Sequence, residues 1–258
     1  MKIRNIFFVC CILFLSGLTC KAQLYTGMSG LIKNPSADMN QEGEAVIAGY
    51  FMNKHFTPGS VNKKHGFYYN GTKYNTCDFS VALTPFSWME IGYTFTLMKT
   101  LAAGQTKPKY NQKDRFMSIK FLPLKEGSFY PAIAVGSTDF LSVVYKVNSE
   151  DNGGMNAGYF CNFYIVATKH FIPNKQNIGV SLGYRYVLGP HSKKWQGAIA
   201  GVTWQPKWVP SMRVVGEWTA NEINIGLDCL LWKHLFLQAA LINGKYPTGG
   251  IAYQVNLF

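Results

Sequence analysis

From about residue 44 to the C-terminus, apolar side chains return at every second position in stretches of about ten residues. Clear cases are Met89, Ile91, Tyr93, Phe95, Leu97, then Ile178, Val180, Leu182, Tyr184, Tyr186, then Ile223, Ile225, Leu227, Cys229, Leu231. The positions between them hold Glu90, Gly92, Thr94, Ser181, Gly183, Arg185, Asn224 and Asp228. A period of two gives a strand one apolar and one polar face. Repeated about a dozen times, it predicts an all-β, antiparallel transmembrane β-barrel of about twelve strands.

The N-terminus fits that destination. Lys2 and Arg4 precede a short apolar core from Ile6 to Leu15, and Cys20 and Ala22 occupy the −3 and −1 cleavage positions. Residues 1–22 are therefore read as a cleaved secretory signal, 23–43 as an extended rim or plug segment, and 44–258 as the barrel. No later run reaches the length of a spanning helix. Cys10, Cys11 and Cys20 leave with the signal, and the remaining Cys77, Cys161 and Cys229 are an odd trio. They are read as small hydrophobes on the apolar phase, facing lipid or neighbours, not as a disulfide framework.

Strands are expected at 44–52, 75–84, 88–97, 114–122, 131–138, 158–169, 177–187, 196–205, 211–219, 222–231, 234–242 and 249–257. The connections between them sort by parity. The three longest, 53–74, 98–113 and 139–157, are all odd, whereas the even ones are short and four of the five contain proline. Membrane barrels of this kind pair long outer loops with short periplasmic turns. Phe258 supplies a terminal aromatic for the barrel-assembly machinery, although Leu257, Val255, Tyr253 and Ile251 are out of phase with it.

Charge adds a second layer. Removing Lys2, Arg4 and Lys21 lowers the net charge from +12 to +9. Lys63, Lys64, Lys73, Lys107, Lys109, Lys113, Lys146, Lys193 and Lys194 lie in or beside the outer loops. They suit lipopolysaccharide phosphates or an anionic polysaccharide, and nucleic acid is not expected as a partner. Asp78, Glu90, Lys120, Arg185, Arg213, Glu217 and Asp228 fall on the polar phase, and charges inside a barrel must pair or line water. Two readings stay open for these residues: a salt-bridge network that fills a narrow barrel, and a polar conduit or saccharide-contacting surface. Arg213 and Glu217, four apart on one strand, are expected to share a face.

No catalytic or metal-binding pattern accompanies them. His55, His65, His170, His191 and His234 make no metal-ligand spacing, and Gly27-Met28-Ser29-Gly30 is not a nucleophile elbow. No enzyme, metal or cofactor is expected.

Three stretches, however, resemble one family. They are Gly30-Leu31-Ile32-Lys33-Asn34-Pro35-Ser36-Ala37-Asp38-Met39 with Gly43-Glu44; Pro131 to Phe140 with Tyr164 to Lys169; and Gly201 to Pro206 with Val215-Gly216-Glu217-Trp218 and Asn224-Ile225-Gly226. Together they resemble the YjbH family of outer-membrane β-barrel proteins associated with exopolysaccharide production and secretion. The resemblance implies a passive role in exopolysaccharide export or surface assembly, alongside export-machinery proteins, and it brings no catalytic residues. It also marks Asp139, where a strand enters a long loop, as a further lumen or saccharide-contact candidate. Longer relatives carry about twice this much chain, and Leu141-Ser142-Val143 stands where a glycine-threonine-glycine run is expected. The rival readings are a generic porin or structural barrel and a surface lipid-modifying enzyme.

Overall fold

The computed structural model describes residues 22–23, 25–55, 74–100, 105–141, 160–188 and 190–258. The expected signal lies almost wholly outside these residues, as do Lys63, Lys64, Lys73 and Lys146.

Strands β1 (Ala22–Gln23) and β2 (Ser29–Gly30) pair with each other. The wall is built from β3 (Glu44–Met52), β4 (Thr76–Phe86), β5 (Met89–Thr100), β6 (Lys109–Leu124), β7 (Ala132–Thr138) and β8 (Asn162–Phe171), followed by β9 (Asn177–Val187), β10 (Gly197–Gln205), β11 (Met212–Thr219), β12 (Glu222–Leu231), β13 (Leu235–Ile242) and β14 (Tyr246–Asn256). Each pairs antiparallel with the next, and β14 pairs with β3, so twelve strands close without an edge. β3, β9 and β12 have the predicted bounds. β6 begins at Lys109, before the apolar alternation does, because its hairpin with β5 stays paired as far as Thr100.

Two prolines read as turn residues belong to strands. Pro85 and Pro123 lie within β4 and β6, where the register shifts between Leu83 and Phe86 and between Phe121 and Leu124. A bulge leaves one residue without a ladder partner, which is where a missing N–H does least harm. Cys161 also departs from its expected phase. It precedes β8 and is buried, whereas Cys77 and Cys229 point outward, and all three thiols are free.

The alternation resolves into an apolar outside and a polar inside. Along β12, Ile223, Ile225 and Leu227 are exposed, while Glu222, Asn224 and Asp228 are buried. A soluble barrel would show the reverse, and hydrocarbon is the solvent that suits such a wall. Near the short turns the exterior carries aromatics. Phe86 stacks on Trp88 at 5.3 Å, Trp204 meets Trp208 edge-on at 5.8 Å, and Trp232 stands exposed. Phe258 lies beyond the end of β14 and is exposed.

The core of this barrel is its own N-terminal chain. Residues 26–40 are buried within the lumen, apart from a half-buried Asp38. Leu31 and Ile32 pack with Met98, Phe116, Val215 and Ile242, while Met28 packs with Val46, Tyr50 and Phe236. Inward-facing glycines make room for them. A Cβ on Gly201 would collide with the Leu31 Cδ1 methyl, and one on Gly226 would meet Ile32 Cδ1 at 2.9 Å.

Candidate functional site

The lumen segment runs the length of the barrel and is fastened at three levels. Near the long loops, Lys33 Nζ pairs with Glu222 Oε2 at 3.0 Å and lies 3.4 Å above the Trp195 ring. The Trp195 indole N–H also donates to Glu222 Oε2, at 3.2 Å. Carboxylate, ammonium and aromatic face thus close one end.

Halfway down, Glu217 on β11 accepts the backbone N–H groups of Ile32 (3.1 Å), Lys33 (3.0 Å) and Asn34 (2.9 Å), together with the Asn224 side-chain amide (2.8 Å). Three consecutive N–H donors make a concavity that a carboxylate fills. Beside it, Arg213 binds Asp228 Oδ2 at 3.0 Å and donates to the Gly30 carbonyl at 3.1 Å. Arg185 donates to the Lys33 carbonyl at 2.9 Å, and Gln238 bridges Asp228 and the Leu31 carbonyl. The wall charges therefore satisfy backbone groups that a buried, non-sheet segment would otherwise leave unpaired.

Towards the short turns, Glu90 and Lys120 face each other across β5 and β6 at 2.9 Å, both buried. Glu90 accepts the Ser29 and Asn40 N–H groups, and Lys120 donates to the Ser29 and Asp38 carbonyls. Asp38 then reaches His170 Nε2 at 3.4 Å, whose Nδ1 lies 2.7 Å from Glu126 Oε2 in the 125–131 turn. Partial burial opposes the charge on Glu126, but the backbone N–H and imidazole of His170 and the ammonium of Lys169 outweigh it. They hold that carboxyl below its usual range.

Six of the sequence-derived residues, Glu90, Lys120, Arg185, Arg213, Glu217 and Asp228, are thus brought together around residues 29–40. Asp78 is not among them. It lies on the inner wall between Tyr50 and Thr96 and makes no hydrogen bond to the segment. Asp139 follows the end of β7 with a left-handed φ of 58°, and its N–H donates to the Met117 carbonyl. Arg213 and Glu217 do share a face, but Arg213 pairs across the ladder with Asp228.

Glu222, Gln238, Asn34 and Trp195 escape the sequence reading. Glu222 continues the inward phase of Asn224 and Asp228 and is findable on that ground; Asn34 is marked only by its place in a family-like stretch, and Trp195 carries no such signal. The Ser29 hydroxyl, 2.7 Å from Glu90 Oε1 and 2.7 Å from the Asp38 carbonyl, anchors the segment and faces no histidine in these contacts. Among the described residues no group of three or more His, Cys, Asp or Glu side chains is placed to hold a metal ion.

A closed antiparallel barrel with an apolar exterior and a lumen occupied by its own N-terminal chain defines a filled, membrane-type barrel. The YjbH family model, described as exopolysaccharide biosynthesis protein YbjH, matches residues 22–202, and the chain belongs to that family. No curated protein sequence matches it. Among solved structures it is similar to outer membrane phospholipase A from Escherichia coli, at 10% identity over 84% of this chain and 98% of that chain, with a TM-score of 0.35. It is also similar to the Salmonella typhi outer membrane phospholipase dimer with bound calcium, at 10% identity over 84% and 92% of the two chains, with a TM-score of 0.34. Likenesses this remote lend the chain no activity.

Proposed function

We propose that this protein is a plugged outer-membrane barrel that takes part in exopolysaccharide export or surface assembly without catalysing a reaction itself. The observation that carries the plugged state is Glu217, whose single carboxylate receives three consecutive backbone N–H groups from residues 32–34. An open porin has no use for such a receptor in its lumen. Family membership supports the polysaccharide connection, and the apolar wall with its aromatic rim supports the outer membrane.

With residues 26–40 in place, Glu90, Lys120 and Glu217 are covered, so a saccharide meets them only after the plug moves. The three histidine side chains among the described residues support a non-catalytic role: His55 faces Glu222, His170 faces Glu126 and Asp38, and His234 faces the Gln254 carbonyl. None of these contacts is to a serine. Deleting the gene and restoring it on a plasmid tests the reading. Secreted and matrix polysaccharide should fall and then recover; unchanged polysaccharide in the deletion strain would sink it. In planar bilayers the intact barrel should show no steady conductance, and a constant open current would favour a porin instead.

A further inference from the structure

On the outer wall, between the tips of the β11–β12 and β13–β14 hairpins, lies a notch of about 610 Å³. Its floor is Trp218, Ile223 and Ile225, three outward side chains exposed by 43%, 64% and 55%. They belong to the lipid-facing phase of β11 and β12, directly below the end that carries the long loops. Its upper edge is of different chemistry: Asn221 at one hairpin tip, Asn243 and Lys245 at the other.

This edge is held in place. Asn243 accepts the Ile223 N–H at 3.2 Å, and Asn221 donates to the Lys194 carbonyl at 2.7 Å. His55 closes the lumen side, stacked on Tyr246 at 4.4 Å and fixed to Glu222 at 3.2 Å. Lys245 is exposed and enters no ion pair among the described residues, so the notch ends in a cation without an internal counter-charge.

We propose that this notch binds one molecule of a glycolipid of the lipid A class, a phosphorylated sugar head on several acyl chains. An acyl chain lies along Trp218, Ile223 and Ile225, where no water competes. The head then sits at the height of Lys245, which meets a phosphate, with the two asparagine amides beside the sugar hydroxyls. A soluble saccharide would leave the apolar floor unused, and a plain phospholipid would leave the amides unused. The proposal rests on the outer-membrane placement above and not on the polysaccharide role.

The test is native mass spectrometry of the full barrel in detergent, titrated with purified lipid A. Lys245→Glu and Trp218→Ala, which change only exposed side chains on the outer wall and leave the Trp218 carbonyl to its bond from Asn34, are compared after heat-modifiable gel mobility confirms folding. Wild type should hold one lipid A, and each variant should bind about five- to tenfold more weakly, as expected for losing one charge contact or one aromatic contact. Equal affinity in all three proteins overturns the site. So does equally tight binding of the deacylated sugar phosphate, which would mean a saccharide site, or of phosphatidylethanolamine, which would mean general lipid contact. Membrane fractionation separates the two failures. Absence from the outer membrane removes the placement, whereas correct fractionation without lipid A selectivity removes the notch alone.

Discussion

Glu217 concentrates the physics of the lumen in one side chain. Its carboxylate has acceptor capacity for all the donors that face it, and each charge-assisted bond stabilises by about 1.5–3 kcal/mol. Glu217→Gln keeps the shape but offers one oxygen and turns an NH2 group towards backbone donors. We expect plug docking to weaken by about 3 kcal/mol, which raises the undocked population on the order of a hundredfold. Trypsin cleavage after Lys33 should accelerate by a similar factor while the barrel itself stays resistant, provided cleavage follows the open population. An unchanged cleavage rate would mean that Glu217 does not hold the segment. The inward direction of this residue is legible in the sequence, because a strand's period fixes its faces. Its partners are not, because the Ile32 amide is 185 positions away in the chain.

Among the elements, the 125–131 turn illustrates a link between the barrel rim and the plug. Glu126 is held below its usual range by His170 and Lys169, and His170 also touches Asp38. A carboxyl whose folded pKa is depressed contributes above its unfolded value of about 4.3 and loses that contribution as pH falls through the folded value. The contribution of Glu126 to docking of this turn should therefore be fully present above its unfolded value and be lost below about pH 4. Hydrogen exchange of the 125–131 amides, followed against pH, should show this, and Glu126→Gln should flatten the profile. The strands themselves read well because Ile, Val, Leu and aromatic side chains alternate cleanly. Pro85 and Pro123 read badly because proline breaks pairing in a turn and in a bulge alike. Arg213 shares a face with Glu217 but finds its charge partner elsewhere, for a geometric reason. Four residues along a strand is about 13 Å, whereas its ladder neighbour Asp228 lies directly opposite.

At the scale of the whole molecule, wall and plug are complementary surfaces from one chain. The small inward residues Gly201 and Gly226 seat Leu31 and Ile32, and larger side chains there should expel the segment without disturbing the outward face. Gly201→Leu combined with Gly226→Leu should convert a silent barrel into a conducting one in planar bilayers, with unchanged heat-modifiable mobility. Persistent silence would show that the lumen is blocked by something other than residues 26–40. The twelve-strand wall follows from sequence periodicity and loop lengths; the filling of its interior does not, because it depends on side chains that meet only after closure.

Gly43 joins plug to wall at the point where the barrel meets itself. Its φ of +83° suits glycine, its N–H donates to the Thr84 carbonyl, and its own carbonyl receives the Leu257 N–H. The first wall strand cannot pair with the last until β14 has been made, whereas residues 26–40 are made before any wall strand. The plug is thus at hand when the wall closes, held inside by its contacts and tethered at one end, so that it can undock without leaving the barrel. A plug supplied as a separate peptide would have to find the lumen from solution, whereas attachment in cis at Gly43 keeps residues 26–40 at its mouth at high effective concentration.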